Sequence, residues 1–289
     1  MPLPAGTDSR PALEFTTNAL AEIMTACFQG YVVSQILTGE TFNNRFRRES
    51  LDLRASRVVV ESGRPVAVVL VARRGWNARI AAMGIVPDRR AIGLGRQLLS
   101  EVIEDLRQLG DRHLILEVIE SNQSALRLYR GLGFATRRRL IGYRRPSTAG
   151  GEVAACPQPA ELAEADILLI ARRVAEDGVA DLPWIMAPES LAAAASPARG
   201  YVLADLAYAI VEPAPQPSDL VLRTLVVARD ARRRGLGRRM VHALAGAHPG
   251  QDLVISANFP EQLVPDFMVR AGFGTTPISQ VEMKLNLVA

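Results

Sequence analysis

The spacing of apolar residues along the chain changes repeatedly between the period of a β-strand and that of an α-helix. Valine-rich runs on either side of Ser62-Gly63-Arg64 predict a β-hairpin. From Leu94 to Leu109 the apolar residues instead fall on one helical face, and Gly110 ends this helix. The first half of the chain is predicted to contain helices at 17–28 and 41–49, strands at 57–61, 65–73 and 77–86, a helix at 94–109, a strand at 113–118, a helix at 123–132 and a strand at 135–143.

Two widely separated landmarks recur in the second half of the chain. Gly93-Leu94-Gly95 is repeated as Gly235-Leu236-Gly237, and Gly133-Phe134 is repeated as Gly272-Phe273. Both repeats have an offset of about 140 residues, which predicts two copies of one domain. The second copy is predicted to contain a helix at 163–176, strands at 200–204, 206–212 and 220–227, a helix at 237–247, and strands at 252–257 and 278–287.

The order of these elements predicts an α+β fold with two tandem domains, each a mixed, mostly antiparallel sheet flanked by helices. Residues 146–159 are rich in Gly, Pro, Ser and Ala, which is typical of a linker. The predicted domains are therefore 1–145, which we expect to be catalytic, and 160–289.

The first glycine turn, between a strand and an amphipathic helix, has the features of an anion site. The first backbone N–H groups of a helix lack partners, and glycine lets them approach a phosphate closely. Arg90 and Arg96 add positive charge at the same place. The segment lacks the phosphate-binding P-loop sequence, and Leu98 occupies the third glycine position of a dinucleotide-binding turn. Two such turns flanked by arginine favour a pyrophosphate ligand.

At these residues the chain resembles the GNAT N-acetyltransferases. Residues 90–95 match the acetyl-coenzyme A signature [Q/R]-x-x-G-x-[G/A] of that family, and Val86-Pro87 precedes them. A second signature is matched by Asn122, Ala125 and Tyr129, followed by Gly133-Phe134. The resemblance covers roughly residues 56–144, and it extends into the second copy at residues 232–237.

The resemblance implies an acetyl-CoA-dependent N-acyltransferase without a metal. It would move an acetyl group directly from acetyl-CoA to a primary amine of a small acceptor molecule. In this family the backbone of the fourth strand pairs with the pantetheine arm, and the glycine loop binds the pyrophosphate. Carried over, the cofactor-binding residues are Met83, Ile85, Val86, Arg90, Ala91, Ile92, Gly93, Leu94, Gly95, Arg96, Asn122 and Tyr129.

The resemblance also implies that Tyr129 is the general acid that protonates the departing coenzyme A sulfur. Asn122, Ala125, Leu126 and Tyr129 share one helical face. A phenol with an ordinary pKa of about 10 is a reasonable proton donor to a thiolate. The spacing alone favours the interpretation that Tyr129 is an ordinary core residue of an amphipathic helix. The glycine turn upstream in the same domain favours the general acid instead.

The second copy departs from the catalytic pattern. Counting back from Phe273, Met268 occupies the tyrosine position and Glu261 the asparagine position, and Pro265 requires the helix to start later or to kink. Methionine has no proton to donate. The second domain is therefore predicted to be a degenerate copy. It retains a possible second cofactor loop at Arg232, Gly235 and Gly237.

Candidates for the general base and for the acceptor pocket are less specific. Glu117 lies near the end of a strand, where it is either a base for the acceptor amine or a paired carboxylate. Among the aromatic residues, Tyr31 and Trp76 are the acceptor-pocket candidates, with core positions as the alternative.

Composition restricts the classes of function. Hydrophobic residues make up 48% and charged residues 22%, as in ordinary globular proteins. The chain has only two cysteines and three histidines, without metal-ligand spacing, which excludes a disulfide framework and argues against a metal site. The N-terminus lacks the pattern of a signal peptide and no apolar run spans a bilayer, so a cytoplasmic protein without a membrane partner is expected.

The basic residues are almost all arginine. Of 34 lysines and arginines only Lys284 is lysine, and the net charge is +4. The arginine run 137–139 lacks aromatic interleaving, so a nucleic-acid partner is not expected. We expect a monomer or homodimer. The alternative to an enzyme is a non-catalytic acyl-CoA-binding sensor or scaffold, which duplication with one damaged copy makes plausible.

Overall fold

The computed structural model describes residues 6–31, 36–147 and 162–288. The chain forms two compact units, the first made of Met1–Arg137 with Val281–Ala289 and the second of Arg138–Gln280. The first boundary falls earlier than the predicted one at residue 145. From residue 148 onward, the predicted linker at 146–159 lies outside the described residues.

The two copies along the chain contain the same succession of elements. From the N-terminus these are β1 (Thr7–Pro11), α1 (Thr17–Cys27), α2 (Gly39–Arg47), β2 (Leu51–Glu61), β3 (Arg64–Arg74), β4 (Asn77–Ile85), α3 (Leu94–Gln108), β5 (His113–Ile119), α4 (Gln123–Gly131) and β6 (Ala135–Arg145). They are followed by β7 (Leu162–Ala165), α5 (Ile167–Asp177), α6 (Pro188–Ala192), β8 (Arg199–Leu203), β9 (Ala207–Pro213), β10 (Asp219–Val227), α7 (Leu236–Ala247), β11 (Asp252–Pro260), α8 (Pro265–Arg270) and β12 (Gly274–Asn286).

The sheets are mixed and mostly antiparallel, as predicted. In the first unit the strand order is β1-β2-β3-β4-β5, followed by the C-terminal part of β12. β4 and β5 pair in parallel, whereas β1 with β2, β2 with β3 and β3 with β4 are antiparallel. In the second unit the order is β7-β8-β9-β10-β11, followed by the C-terminal part of β6, and β10 and β11 form the parallel pair.

The last strand of each copy belongs to the other unit, which the sequence did not predict. The end of β6 pairs with β11, from Leu140↔Pro260 to Arg145↔Leu253. The end of β12 completes the first unit, where the Leu287 N–H donates to the Arg112 carbonyl at 2.8 Å. Both strands carry the same alternating pattern, and that pattern does not specify which neighbour a strand pairs with.

A bulge opens the first sheet beside β5. The parallel pairing of β4 with β5 runs from Asn77 to Ile80, and the register of β4 against β3 then shifts, leaving Ala81 as an extra residue. Such a bulge increases the local strand twist. Beyond Ile80, β4 and β5 therefore diverge, and one backbone edge of β4 faces the gap between them.

Most predicted elements are present, with differences at polar segments. β1 and the first half of β2 were not predicted, because their polar residues break the apolar alternation. Residues 162–165 form a strand, so α5 begins later than predicted. α8 begins at Pro265, in agreement with the later helix start that this proline requires. Within the described ranges no helix combines the length and apolarity needed to cross a membrane.

Candidate active site

The glycine turn before α3 points backbone donors outward. Ala91 and Gly93 have φ angles of 63° and 90°, in the left-handed region, and α3 begins at Leu94. The first helical hydrogen bonds are those from the Arg96 and Gln97 N–H groups to the Gly93 carbonyl, at 3.1 and 3.3 Å. The preceding N–H groups at the helix start suit an anion, because the helix itself supplies no acceptor for them.

Gly95 brings three elements of the first unit together. A β-carbon at this position would lie 3.2 Å from the terminal carbons of both Met83 and Ile85, and 3.5 Å from a methyl of Leu128. The start of α3 thus packs directly on the open end of β4 and on α4. A side chain here would require the ends of Met83 and Ile85 to move, so glycine favours this close packing.

Arg90 and Arg96, which were predicted to contact a phosphate, form hydrogen bonds to backbone carbonyls of the first unit. Arg90 donates through Nε to the Ile85 carbonyl at 2.9 Å and through Nη2 to the carbonyls of Cys27 and Gln29, at 3.1 and 2.7 Å. Arg96 donates to the Gly131 carbonyl at 2.9 Å. These guanidinium groups hold α1 and α4 in place, so the expected phosphate contacts fall to the backbone N–H groups.

Val86 also differs from its predicted role as a pantetheine contact. Its side chain is buried, its N–H donates to the Val66 carbonyl at 3.0 Å, and its carbonyl accepts from Arg89 at 3.0 Å. The edge of β4 that faces the gap is therefore provided by the residues before it, including Met83 and Ile85.

Tyr129 lies on α4 and is buried, with 8% of its surface exposed. Its ring packs edge-on against Phe134, with ring centroids 5.8 Å apart. Burial, with a smaller contribution from neighbouring Tyr31, raises the pKa of the Tyr129 phenol. The hydroxyl consequently keeps its proton throughout the physiological pH range, as a proton donor requires.

Asn122 and Tyr31 are joined at the start of α4. The Asn122 Oδ1 caps the helix by accepting from the Ala125 N–H at 3.2 Å and from the Ser124 hydroxyl at 2.9 Å. Its Nδ2 donates to the Tyr31 hydroxyl at 3.2 Å. Tyr31, predicted in the acceptor pocket, is therefore held beside the helix that carries Tyr129.

Glu117 belongs to a buried ion cluster that the sequence did not reveal. It is the first β5 residue beyond the paired segment, and its Oε2 accepts from the Arg79 Nε at 2.8 Å. Arg79 also bonds Glu49, and Glu282 carries a further buried negative charge. Burial raises the pKa of Glu117, an effect that the Arg79 charge opposes and the Glu282 charge reinforces. The one sequence signal was a charged residue, Arg79, within an apolar strand.

Trp76 lies at the opposite end of β4 from the glycine turn. It lies in the turn before β4 and is 60% exposed, with the Arg112 guanidinium 5.1 Å from its ring centroid. The nine residues of β4 separate it from the glycine turn. At about 3.3 Å per residue this is on the order of 30 Å. The acceptor-pocket role of Trp76 stays a prediction.

The second unit repeats the scaffold without the phenol. Gly235 and Arg233 have φ angles of 83° and 66°, and α7 follows at Leu236. The Phe273 N–H donates to the Met268 carbonyl at 3.0 Å, as the Phe134 N–H donates to the Tyr129 carbonyl at 3.1 Å. Met268 therefore occupies the position of Tyr129.

Similarity to known proteins agrees with this geometry. Streptothricin acetyltransferase from Streptomyces lavendulae is 33% identical over 89 residues, which are 30% of this chain and 47% of that protein. The [ribosomal protein bS18]-alanine N-acetyltransferase of Escherichia coli K12 is 43% identical over 65 residues, 22% of this chain and 44% of that protein. The chain thus spans less than half the length of each of these relatives.

The solved structure of a tandem GNAT protein from the clavulanic acid biosynthesis pathway has the same fold. It superimposes with a TM-score of 0.67 and 17% sequence identity over 98% of this chain and 99% of that one. The model of the acetyltransferase (GNAT) family matches residues 17–134, which include the glycine turn, the gap beside β4 and Tyr129. Residues 17–134 therefore form a GNAT-family acetyltransferase domain, and the whole chain has the fold of a tandem GNAT protein.

Proposed function

We propose that the first unit transfers an acetyl group from acetyl-CoA to a primary amine of a small acceptor molecule. The observation that carries the proposal is the convergence at Gly95, where the anion-binding turn, the open edge of β4 and the helix of Tyr129 meet. The α3 N-terminus would hold the pyrophosphate, and the β4 edge would pair with the pantetheine amides.

The proposed reaction is a direct transfer. The neutral amine nitrogen attacks the thioester carbonyl, so that a C–N bond forms and the C–S bond breaks. The departing thiolate takes the proton of Tyr129, and the amine releases a proton to Glu117 or to water. Proton return from solvent to Tyr129 completes the cycle, so that one proton leaves the amine and one reaches the thiol.

The acceptor class is tested by measuring thiol release from acetyl-CoA with a panel of amines. The panel includes small polycationic amines, amino acids and a peptide beginning with alanine, because the two relatives are named for a small molecule and for a protein terminus. Acetylation of a small amine supports the proposal. Tight acetyl-CoA binding without turnover across the panel would instead favour a non-catalytic sensor or scaffold.

The proposed role of Glu117 predicts a specific pH effect. A base must be deprotonated to act. Once corrected for the ionisation of the amine itself, kcat/KM should therefore rise with pH through the elevated pKa of Glu117 and then level off. In Glu117→Gln we expect kcat to fall by about 10²-fold and this rise to disappear. The measurement is a pH–rate profile with the best amine.

Glu49→Gln is the matched control, because both carboxylates bond the same Arg79 guanidinium. If Glu49 and Glu117 only hold Arg79 in place, both variants should lose the same activity and keep the pH–rate profile of the unmodified protein. If Glu117 is the base, only Glu117→Gln should change that profile. If kcat falls equally in both variants, we would infer that water, and not Glu117, takes the proton of the amine.

A further inference from the structure

A row of four charged side chains crosses the sheet of the first unit. Arg79 on β4 bonds Glu117 on β5 through its Nε at 2.8 Å. Arg137 on β6 bonds Glu282 on β12 at 2.9 Å. The strand order β4-β5-β12-β6 places the two glutamates between the two arginines. Two carboxylates are therefore neighbours at the centre of this row.

The contacts of β12 place Glu282 level with Glu117. The Leu287 N–H donates to the Arg112 carbonyl at 2.8 Å, and Glu282 is among the charges that act on Glu117. The two contacts are five residues apart on each strand and follow in opposite order, so β12 runs antiparallel to β5. Residues opposite each other on antiparallel strands have β-carbons about 5 Å apart, and like charges there repel.

Both carboxylates are removed from water. Glu282 is fully buried, and the Glu117 side chain is 7% exposed. The repulsion between two negative charges is screened much less in such surroundings than at a surface. A proton on either carboxylate would relieve it.

The Arg79 guanidinium separates Glu117 from a third carboxylate, that of Glu49. It bonds Glu117 through Nε and Glu49 through Nη1, and Arg45 on α2 lies 3.6 Å from Glu49. Glu49 thus has two guanidinium groups close by, and one of them stands between it and Glu117. Its negative charge is therefore largely compensated at the position of Glu117.

The arginine partner of Glu282 lies on the side away from Glu117. Arg137 approaches from β6, whereas Glu117 is on β5. Burial raises the pKa of Glu117, and the charge of Arg79 opposes this rise. The charge of Glu282 reinforces the rise more strongly than the charge of Glu49 does. Of the carboxylates around Glu117, Glu282 therefore has the larger influence on its proton.

We propose that Glu282 is a positioning residue that acts through its charge and makes Glu117 a stronger base for the acceptor amine. The inference rests on the proposed direct transfer, in which one proton passes from the amine nitrogen to a carboxylate oxygen of Glu117. That step relieves the repulsion between the two carboxylates, so the repulsion favours proton uptake. Since β12 is the last strand of the second copy, the second copy contributes in this way to the chemistry of the first unit.

The first test follows the proton on Glu117 directly and does not need turnover. The full chain is labelled with ¹³C in its glutamate carboxyl groups, and the Glu117 signal is identified as the one missing from Glu117→Gln. Glu282→Gln keeps the size of the side chain and removes its charge. It should lower the pKa of Glu117 by up to about two pH units, the effect of one charge about 6 Å away at an effective dielectric constant of about 20.

Asp111→Asn is the matched control. Like Glu282, Asp111 is fully buried, and it accepts from the Arg73 Nε at 2.9 Å. It precedes Glu117 by six positions, on the order of 20 Å along a strand. The pKa of Glu117 should therefore stay unchanged in this variant.

Arg137→Gln changes the row at a partly exposed position, where the side chain is 29% exposed. The charge of Glu282 is then less compensated, so the pKa of Glu117 should rise in this variant. Opposite shifts in Glu282→Gln and Arg137→Gln distinguish an effect of charge from a general loss of packing.

The second readout is the pH–rate profile with the best amine. In Glu282→Gln the rise of kcat/KM should move to lower pH together with the pKa of Glu117, and its plateau should fall because the base is weaker. The inference is overturned if the pKa of Glu117 is unchanged in Glu282→Gln, or if it falls equally in Asp111→Asn. Failure of the pKa to shift counts against Glu282, whereas failure of the rate profile to follow a shifted pKa counts against Glu117 as the base.

Discussion

Replacing Tyr129 by phenylalanine is expected to lower kcat by about 10²–10⁴-fold, the usual contribution of a positioned general acid. The substitution removes only the hydroxyl, and the ring keeps its packing against Phe134. The KM for acetyl-CoA should change little, because the contacts proposed for the pyrophosphate and the pantetheine arm lie on α3 and β4, and the hydroxyl of Tyr129 is only one of the predicted cofactor contacts. Steady-state kinetics with a saturating amine measure the effect.

The leaving group provides a sharper readout than the rate alone. If Tyr129 protonates the departing sulfur, an acetyl thioester of a more acidic thiol should lose much less rate in Tyr129→Phe, since its thiolate needs no acid. Tyr31→Phe is the control, because that hydroxyl is held by Asn122 and should affect the KM for the amine instead. Equal losses with both thioesters would remove Tyr129 from the role of acid.

Deleting residues 281–289 is expected to abolish turnover, although the proposed active site lies within the first 137 residues. The deleted segment contributes the buried side chains Val281, Met283, Leu285 and Leu287, along with Glu282, which pairs with Arg137 at 2.9 Å. Burial of each such apolar side chain contributes about 1.5–3 kcal/mol. Their combined loss is comparable to the whole stability of a typical domain, about 5–15 kcal/mol.

Thermal unfolding and hydrogen exchange in β5 measure this effect, because β12 follows β5 in the sheet of the first unit. Removal of only residues 288–289 is the control, since Val288 is 54% exposed and should be dispensable. Unchanged exchange in β5 after the longer deletion would show that the C-terminal segment is not needed by the first unit.

The sequence predicted the scaffold because the determinants of the scaffold are local. Gly93 has to adopt a left-handed conformation before a helix, and the apolar stripe from Leu94 marks that helix directly. The departures of the second copy are also local: Met268 occupies the tyrosine position, and Pro265 starts a shorter helix. Counting back from the Gly-Phe pair of each copy was sufficient to align Met268 and Pro265 with their equivalents in the first copy.

The sequence misassigned side chains whose partners are distant along the chain. Arg90 was expected at a phosphate, but the carbonyls of Cys27 and Gln29, more than sixty positions away, accept its hydrogen bonds. Trp76, an acceptor-pocket candidate, lies at the other end of β4 from the glycine turn, a separation that only the length of the strand shows.

The sequence itself determined two copies of one fold and a glycine turn before the third helix of each copy. It also determined that only the first copy has a tyrosine at the position of Tyr129. Backbone conformation and helical periodicity depend on neighbouring residues, which is why these features can be predicted locally. The tertiary structure alone decided which strand completes each sheet, what each arginine bonds, and that Glu282 lies beside Glu117. These features arise from packing between residues far apart in the chain, where many partners satisfy the same apolar or charged pattern and only the assembled fold selects one.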